Sequence, residues 1–254
     1  MSLKWITISL FALSLTQCTQ FPLSTSNSTE TVVSQPAATK GFQPAPSPVI
    51  QRPGYTLAYD GKTRHASWVY EELTAEKLEG STERSDYDFM EDPLIPPSLR
   101  ANKSDYRGSG YDRGHLSPAG NARSSPETMK DTFYLSNISP QHPQLNRKYW
   151  LKLERHVREM TKSHAKVYVI TGPLFLPEEG KDGKKYVRYQ VLGENNVAVP
   201  THYFKVIHGK KDNAFITEAY ILPNQPIDNQ LPLSTFRVTL EKVERSAGLI
   251  FRSG

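Results

Sequence analysis

From Tyr55 onward, short runs of β-branched and aromatic residues alternate with turn signals, which is the pattern of a sheet protein. Tyr55 to Tyr59 and Ala66 to Tyr70 read as strands on either side of an Asp60-Gly61 turn. "ETMKDTFYLSNI" reads as a short helix running into a strand, and "KVYVITGPLF" as a buried strand from Lys166, ended by Gly172-Pro173. "NVAVPTHYFKVIHGKKDNAFITEAYIL" reads as a hairpin around the polar turn Gly209 to Asn213. Two longer runs keep helical spacing: Asn146 to Ser163 and, more weakly, Leu233 to Ala247. Many strands and few helices predict an α+β fold with a mainly antiparallel central sheet flanked by helices.

In the Asn146 run, Tyr149, Trp150, Leu153, Val157 and Met160 form an apolar stripe. Lys148, Lys152, Arg155, Arg158 and Lys162 make the remaining surface basic. Glu154 sits at the margin of the stripe. At about 100° per residue, Asn146 and Glu154 lie roughly 80° apart, which allows both to face one polar site.

Composition narrows the chemistry. The chain has 254 residues, a formal charge of +5 and one cysteine, Cys18. The body therefore carries no disulfide, thiolate metal site or cysteine nucleophile. The charge is compatible with a polyanionic partner without requiring one. Residues 1–20 combine Lys4 with an apolar run from Trp5 to Leu15, too short to span a bilayer and suited to a secretory signal. Leu15-Thr16-Gln17-Cys18 resembles a bacterial lipoprotein box, although Gln17 stands where a small residue is usual. Export to the periplasm, envelope or exterior is expected, with membrane attachment through a lipidated Cys18. Residues 21–53 are a Ser/Thr/Pro-rich linker with two charged residues in its first thirty positions, Glu30 and Lys40. The folded domain is placed at 54–254.

The stretch "GYDRGHLSPAGN" crowds Asp112, Arg113, Gly114 and His115 into four positions. On a strand, Arg113 and His115 share a face. His115 has the side chain best suited to accept a proton near neutral pH, and Arg113 presents a planar fork to a phosphate. Gly114 between them would let a polymer backbone approach. Each signal alone has an ordinary explanation: an exposed histidine, an asparagine that caps a helix, a glutamate in a helix ion pair.

Together, "DYRGSGYDRGHLSPAGN" and "DTFYLSNISPQHPQLNRKYWLKLE" resemble the DNA/RNA non-specific endonucleases of the ββα-metal fold, and within them the endonuclease G branch. The resemblance covers about residues 55 to 252. It implies a metal site between a hairpin and one helix, with His115 as general base. It assigns Asn146 as the direct ligand of a magnesium ion, for which manganese substitutes. Glu154 would hold the metal's waters, and Asn137 belongs to the supporting set. Arg113 matches a phosphate-binding arginine, and Arg84 in "STERSDYDF" a second, more variable one. The expected activity is endonucleolytic cleavage of DNA and RNA leaving 5′-phosphates, with little sequence preference; homodimers occur among relatives. Endonuclease G proper is mitochondrial, which makes that compartment the alternative to export. Two rivals remain: a binding protein that has lost turnover, and a zinc hydrolase, disfavoured because no histidine pair has helical ligand spacing.

Overall fold

The alternating runs pair into one eight-stranded antiparallel sheet, with a small hairpin laid beside it. The computed structural model describes residues 33–34, 47–212 and 214–252. The strands are β1 (Val33–Ser34), β2 (Val49–Gln51), β3 (Thr56–Asp60), β4 (His65–Leu73), β5 (Asp112–His115), β6 (Ile138–Gln141), β7 (Lys166–Leu174), β8 (His202–Lys211), β9 (Ala214–Pro223) and β10 (Arg237–Val238). The large sheet runs β1-β2-β3-β4-β7-β8-β9-β10; β5 and β6 form a separate pair. The longer helices are α1 (Pro126–Thr132), α2 (Leu151–Met160) and α3 (Leu240–Ala247).

The sheet reaches further upstream than residue 54. Strand β2 pairs with β3, and Ile50 is fully buried. Beyond it, the Arg52 guanidinium is buried against Asp92 and Asp131. Two apolar residues after the proline-rich run suffice for this short strand. The leader read into residues 1–20, Cys18 included, lies outside the described residues.

Strand β7 also continues through Gly172-Pro173. Gly172 opposes Phe204, and a Cβ at 172 would come within 2.5 Å of that ring, so the glycine marks a close packing contact and not a stop. The run from Leu233 is not one helix. A 3₁₀ turn (Leu233–Phe236) leads into β10, and α3 starts afresh with Thr239 accepting from the Lys242 amide.

Alternation sorts the sheet into two faces. Val69, Glu71 and Leu73 of β4 point to one; Trp68, Tyr70 and Glu72 point to the other. On the first face, Val69, Val167, Val169, Tyr203 and Ile207 pack against Trp150, Leu153, Val157 and Met160. Each such side chain contributes about 1.5–3 kcal/mol on burial. That seats α2, which starts without a side-chain cap. On the second face, Phe204, Val206 and Ala219 meet Val243 of α3.

Candidate active site

Strand β5 carries the DRGH sequence, paired so that His115 opposes Ile138 and Gly114 opposes Ser139. Arg113 and His115 do share a face, and both lie against Phe89. The Arg113 Cζ is 4.6 Å from that ring's centroid and the imidazole 5.4 Å from it. Phe133 meets the imidazole edge-on at 5.2 Å. His115 is 9% exposed, and its Nε2 has no hydrogen-bond partner among the described residues. Burial, and secondarily the Arg84 charge, pull its pKa down to about 3, so the imidazole is neutral at physiological pH. Arg84 itself is exposed on a 3₁₀ turn, its Cζ 6.0 Å from the Phe133 ring.

The space over Gly114 is not free for an approaching polymer. The Gln141 side chain lies across it, and a Cβ at 114 would come 2.1 Å from Gln141 Oε1. Gln141 is fully buried, and neither atom of its amide has a partner among the described residues.

Asn137 is consumed by structure. Its Oδ1 accepts from the Ser117 amide, and its Nδ2 donates to the Ser117 and Thr132 carbonyls, each at 2.9 Å. It thereby fixes the chain two residues beyond His115 to the end of α1.

Asn146 is not a helix cap. It lies in a π-helical turn (Leu145–Trp150) ahead of α2, so a uniform 100° per residue does not apply between it and Glu154. Its Nδ2 donates to Asp112 Oδ2 at 2.9 Å, which ties α2's leading turn to the DRGH strand. Arg147 grips the same carboxylate through two nitrogens. These bonds, Arg147's first, hold Asp112 ionised against the upward push of burial, and its pKa is lowered. With Nδ2 so engaged, the Asn146 Oδ1 is left as an acceptor for an external group. A neutral amide oxygen suits a hard divalent cation that keeps most of its water. No group of three His, Cys, Asp or Glu side chains able to hold a metal exists among the described residues.

Glu154 is half-buried on α2, and burial raises its pKa to about 7. Lys205 and Arg158, and more weakly Arg84, oppose that rise, while Glu71 adds to it. The Arg84 charge is felt by both Glu154 and His115, so the hairpin and helix groups share one electrostatic field. No ion pair joins Glu154 to Arg155 or Arg158 among the described residues.

Sequence reasoning missed the polar cluster behind Glu154. Glu71 and Lys205 are each 1% exposed. Glu71 Oε1 accepts from Ser117 Oγ at 3.0 Å and Asn121 Nδ2 at 2.9 Å, and Arg158 donates to Asn121 Oδ1 at 3.1 Å. A signal existed: each is a charged residue on the apolar face of a strand, in "WVYEEL" and "HYFKVIH". The basic face of α2 is also smaller than its sequence suggests. Arg158 turns inward, and Lys152 is bonded to the carbonyls of Asn229 and Leu231. Lys148 and Arg155 remain exposed or nearly so.

The model of the DNA/RNA non-specific endonuclease family matches residues 33–254. Human "Endonuclease G, mitochondrial" is 50% identical over 201 residues, 79% of this chain and 68% of that protein. Nuclease C1 of Cunninghamella echinulata var. echinulata is 48% identical over 206 residues, covering 80% of this chain and 81% of its own. A solved structure of an EndoG/EndoGI complex superposes with a TM-score of 0.78 at 50% identity, over 80% of this chain and 84% of that one.

Proposed function

The chain belongs to the DNA/RNA non-specific endonuclease family, endonuclease G branch, and it has the ββα-metal fold; on that premise we propose a metal-dependent, sugar-non-specific endonuclease that cleaves phosphodiesters in DNA and RNA to 5′-phosphate ends. The observation that carries the reading is the Asp112–Asn146 bond, which leaves an amide oxygen on the turn leading into α2, beside the strand bearing a neutral His115 whose Nε2 has no partner among the described residues. His115 accepts the proton of the attacking water. Burial holds the resting imidazole neutral, and the anionic phosphate beside it raises its basicity on binding. Arg113, with Arg84 at the outer margin, holds the phosphate oxygens. Asn146 would supply one oxygen to a magnesium ion, or to manganese in its place, and Glu154 would hold waters of that ion, while Asn137 keeps the His115 turn in position. When bound, the ion would supply charge stabilisation as the phosphodiester is cleaved.

Lys148 and Arg155 contact phosphates without reading bases, so cleavage weakens as salt rises. A homodimer fits the reading, since relatives form them. For its compartment, relatives named mitochondrial favour that alternative over export, and they lend no support to a signal or a lipidated Cys18.

The test is incubation of the purified chain with supercoiled plasmid and MgCl₂, beside an EDTA control and His115→Ala. Nicking that stops with EDTA and collapses in the variant is expected. An intact plasmid with folded wild type in both Mg²⁺ and Mn²⁺ would overturn the reading in favour of a binding protein.

A further inference from the structure

Glu71 and Lys205 take no part in the chemistry just described, yet they sit in the core face of the sheet directly behind it. Burying a lone charge there is costly, and buried charges persist where they are paired and hydrogen-bonded. Glu71 lies on β4 and Lys205 on β8, with β7 between them. The Lys205 ammonium donates to Thr171 Oγ1 of β7 at 2.5 Å and stands 4.8 Å from the Trp150 ring. The charges acting on it are those of Glu71, Glu154 and Arg158. The cluster thus holds two carboxylates and two cations.

Its hydrogen bonds run in one direction. Arg158 can only donate, so Asn121 must turn its Oδ1 toward it and its Nδ2 away. The Nδ2 then needs an acceptor, and Glu71 is that acceptor. The same Glu71 oxygen receives Ser117 Oγ, two residues beyond His115. One carboxylate therefore orients both the turn that follows the DRGH strand and, through Asn121, the guanidinium on the helix that carries Glu154.

We propose that Glu71 and Lys205 form a buried positioning couple: Glu71 fixes the orientation of Asn121 and hence of Arg158, and Lys205 supplies the counter-charge that lets Glu71 remain an acceptor inside the core. A glutamine at 71 presents a donor as well as an acceptor, so the Asn121 amide is free to flip and Arg158 loses its fixed partner.

The proposal rests on the nuclease reading only for its kinetic arm. The decisive variant is Glu71→Gln/Lys205→Met, which removes one charge of each sign and so leaves the net buried charge unchanged. Removing two opposite buried charges together leaves neither uncompensated, so the melting temperature stays within about 3 °C of wild type. The kcat on plasmid DNA nevertheless falls about 10-fold or more, with KM unchanged within about 2-fold. Asn121→Ala, which removes no charge, reproduces that split and serves if the double variant misfolds. Independently of cleavage, ¹⁵N spectra of the arginine side chains report separate, slowly rotating Nη groups for Arg158 in wild type and averaged ones in either variant. Wild-type kcat in both folded variants would overturn the proposal, as would an Arg158 signal that does not change. Changed Arg158 spectra in a chain that never cleaves would sink the nuclease reading and leave the positioning couple standing.

Discussion

His115 and Glu154 are both drawn out of solvent, but the two surroundings differ in kind. The hairpin side encloses its histidine with two phenylalanine rings and offers no hydrogen-bond partner among the described residues. The helix side surrounds its glutamate with charges of both signs, from Lys205, Arg158, Glu71 and Arg84. Burial is the leading influence at each, and because one group is a base and the other an acid it acts in opposite senses on their pKa values. Apolar walls favour the neutral form of the resting group. A charge cluster instead leaves the group close to its switching point, where a cation or a phosphate decides its state.

The largest expected effect breaks the apolar side. His115→Ala lowers kcat by about 10³-fold, within the range of a lost general base, and leaves the melting temperature close to wild type. Steady-state plasmid cleavage beside a thermal melt checks it; a loss under 10-fold would point to another base. Next comes the charged side. Glu154→Gln lowers kcat by about 10 to 100-fold and raises the Mg²⁺ concentration for half-maximal rate, measured by titrating MgCl₂ at fixed DNA.

A third measurement sets the two sides directly against each other through pH. His115's folded pKa of about 3 lies below its usual 6.5, so between those values the native state binds fewer protons than the unfolded chain. Its contribution to stability is full above about pH 6.5 and is lost as pH falls toward 3. Glu154's folded value of about 7 lies above its usual 4.5, so its contribution is full below about pH 4.5 and lost as pH rises through 7. Urea unfolding in EDTA from pH 4.5 to 6.5 tests the opposition. Relative to wild type, stability rises less with pH in His115→Gln and more in Glu154→Gln. Slopes identical to wild type would mean that burial does not set these two groups. The smallest effect is expected from Phe89→Ala, which lets water reach the imidazole. The His115 pKa then moves up by about one unit or more, read from its ring resonances, with only a few-fold change in rate.

Much of this was legible in the chain, and what was missed has a common cause. The aromatic and β-branched run from Ala66 to Tyr70 and the stripe from Tyr149 to Met160 are local patterns, and they lie in β4 and in α2 with the turn ahead of it. The DRGH stretch reads as a strand, and it is β5. The π turn at Leu145–Trp150 was not legible, because a single wider turn leaves the spacing of Trp150, Leu153 and Val157 intact. Nor was the break before α3, since Leu233 to Val243 keeps a helix-like spacing through a 3₁₀ turn and a two-residue strand. Glu71 and Lys205 stand out as charges among apolar neighbours, but their partnership depends on strand order across β4, β7 and β8. No local period encodes that order.

Gly114 is a steric dependent of Gln141, whose side chain fills the place where a Cβ would be. Positions 114 and 141 therefore behave as one unit of heredity. A larger residue at 114 requires the Gln141 side chain to move, and a shorter residue at 141 opens that space. The two halves of the signature, far apart in the chain, are thus coupled sterically.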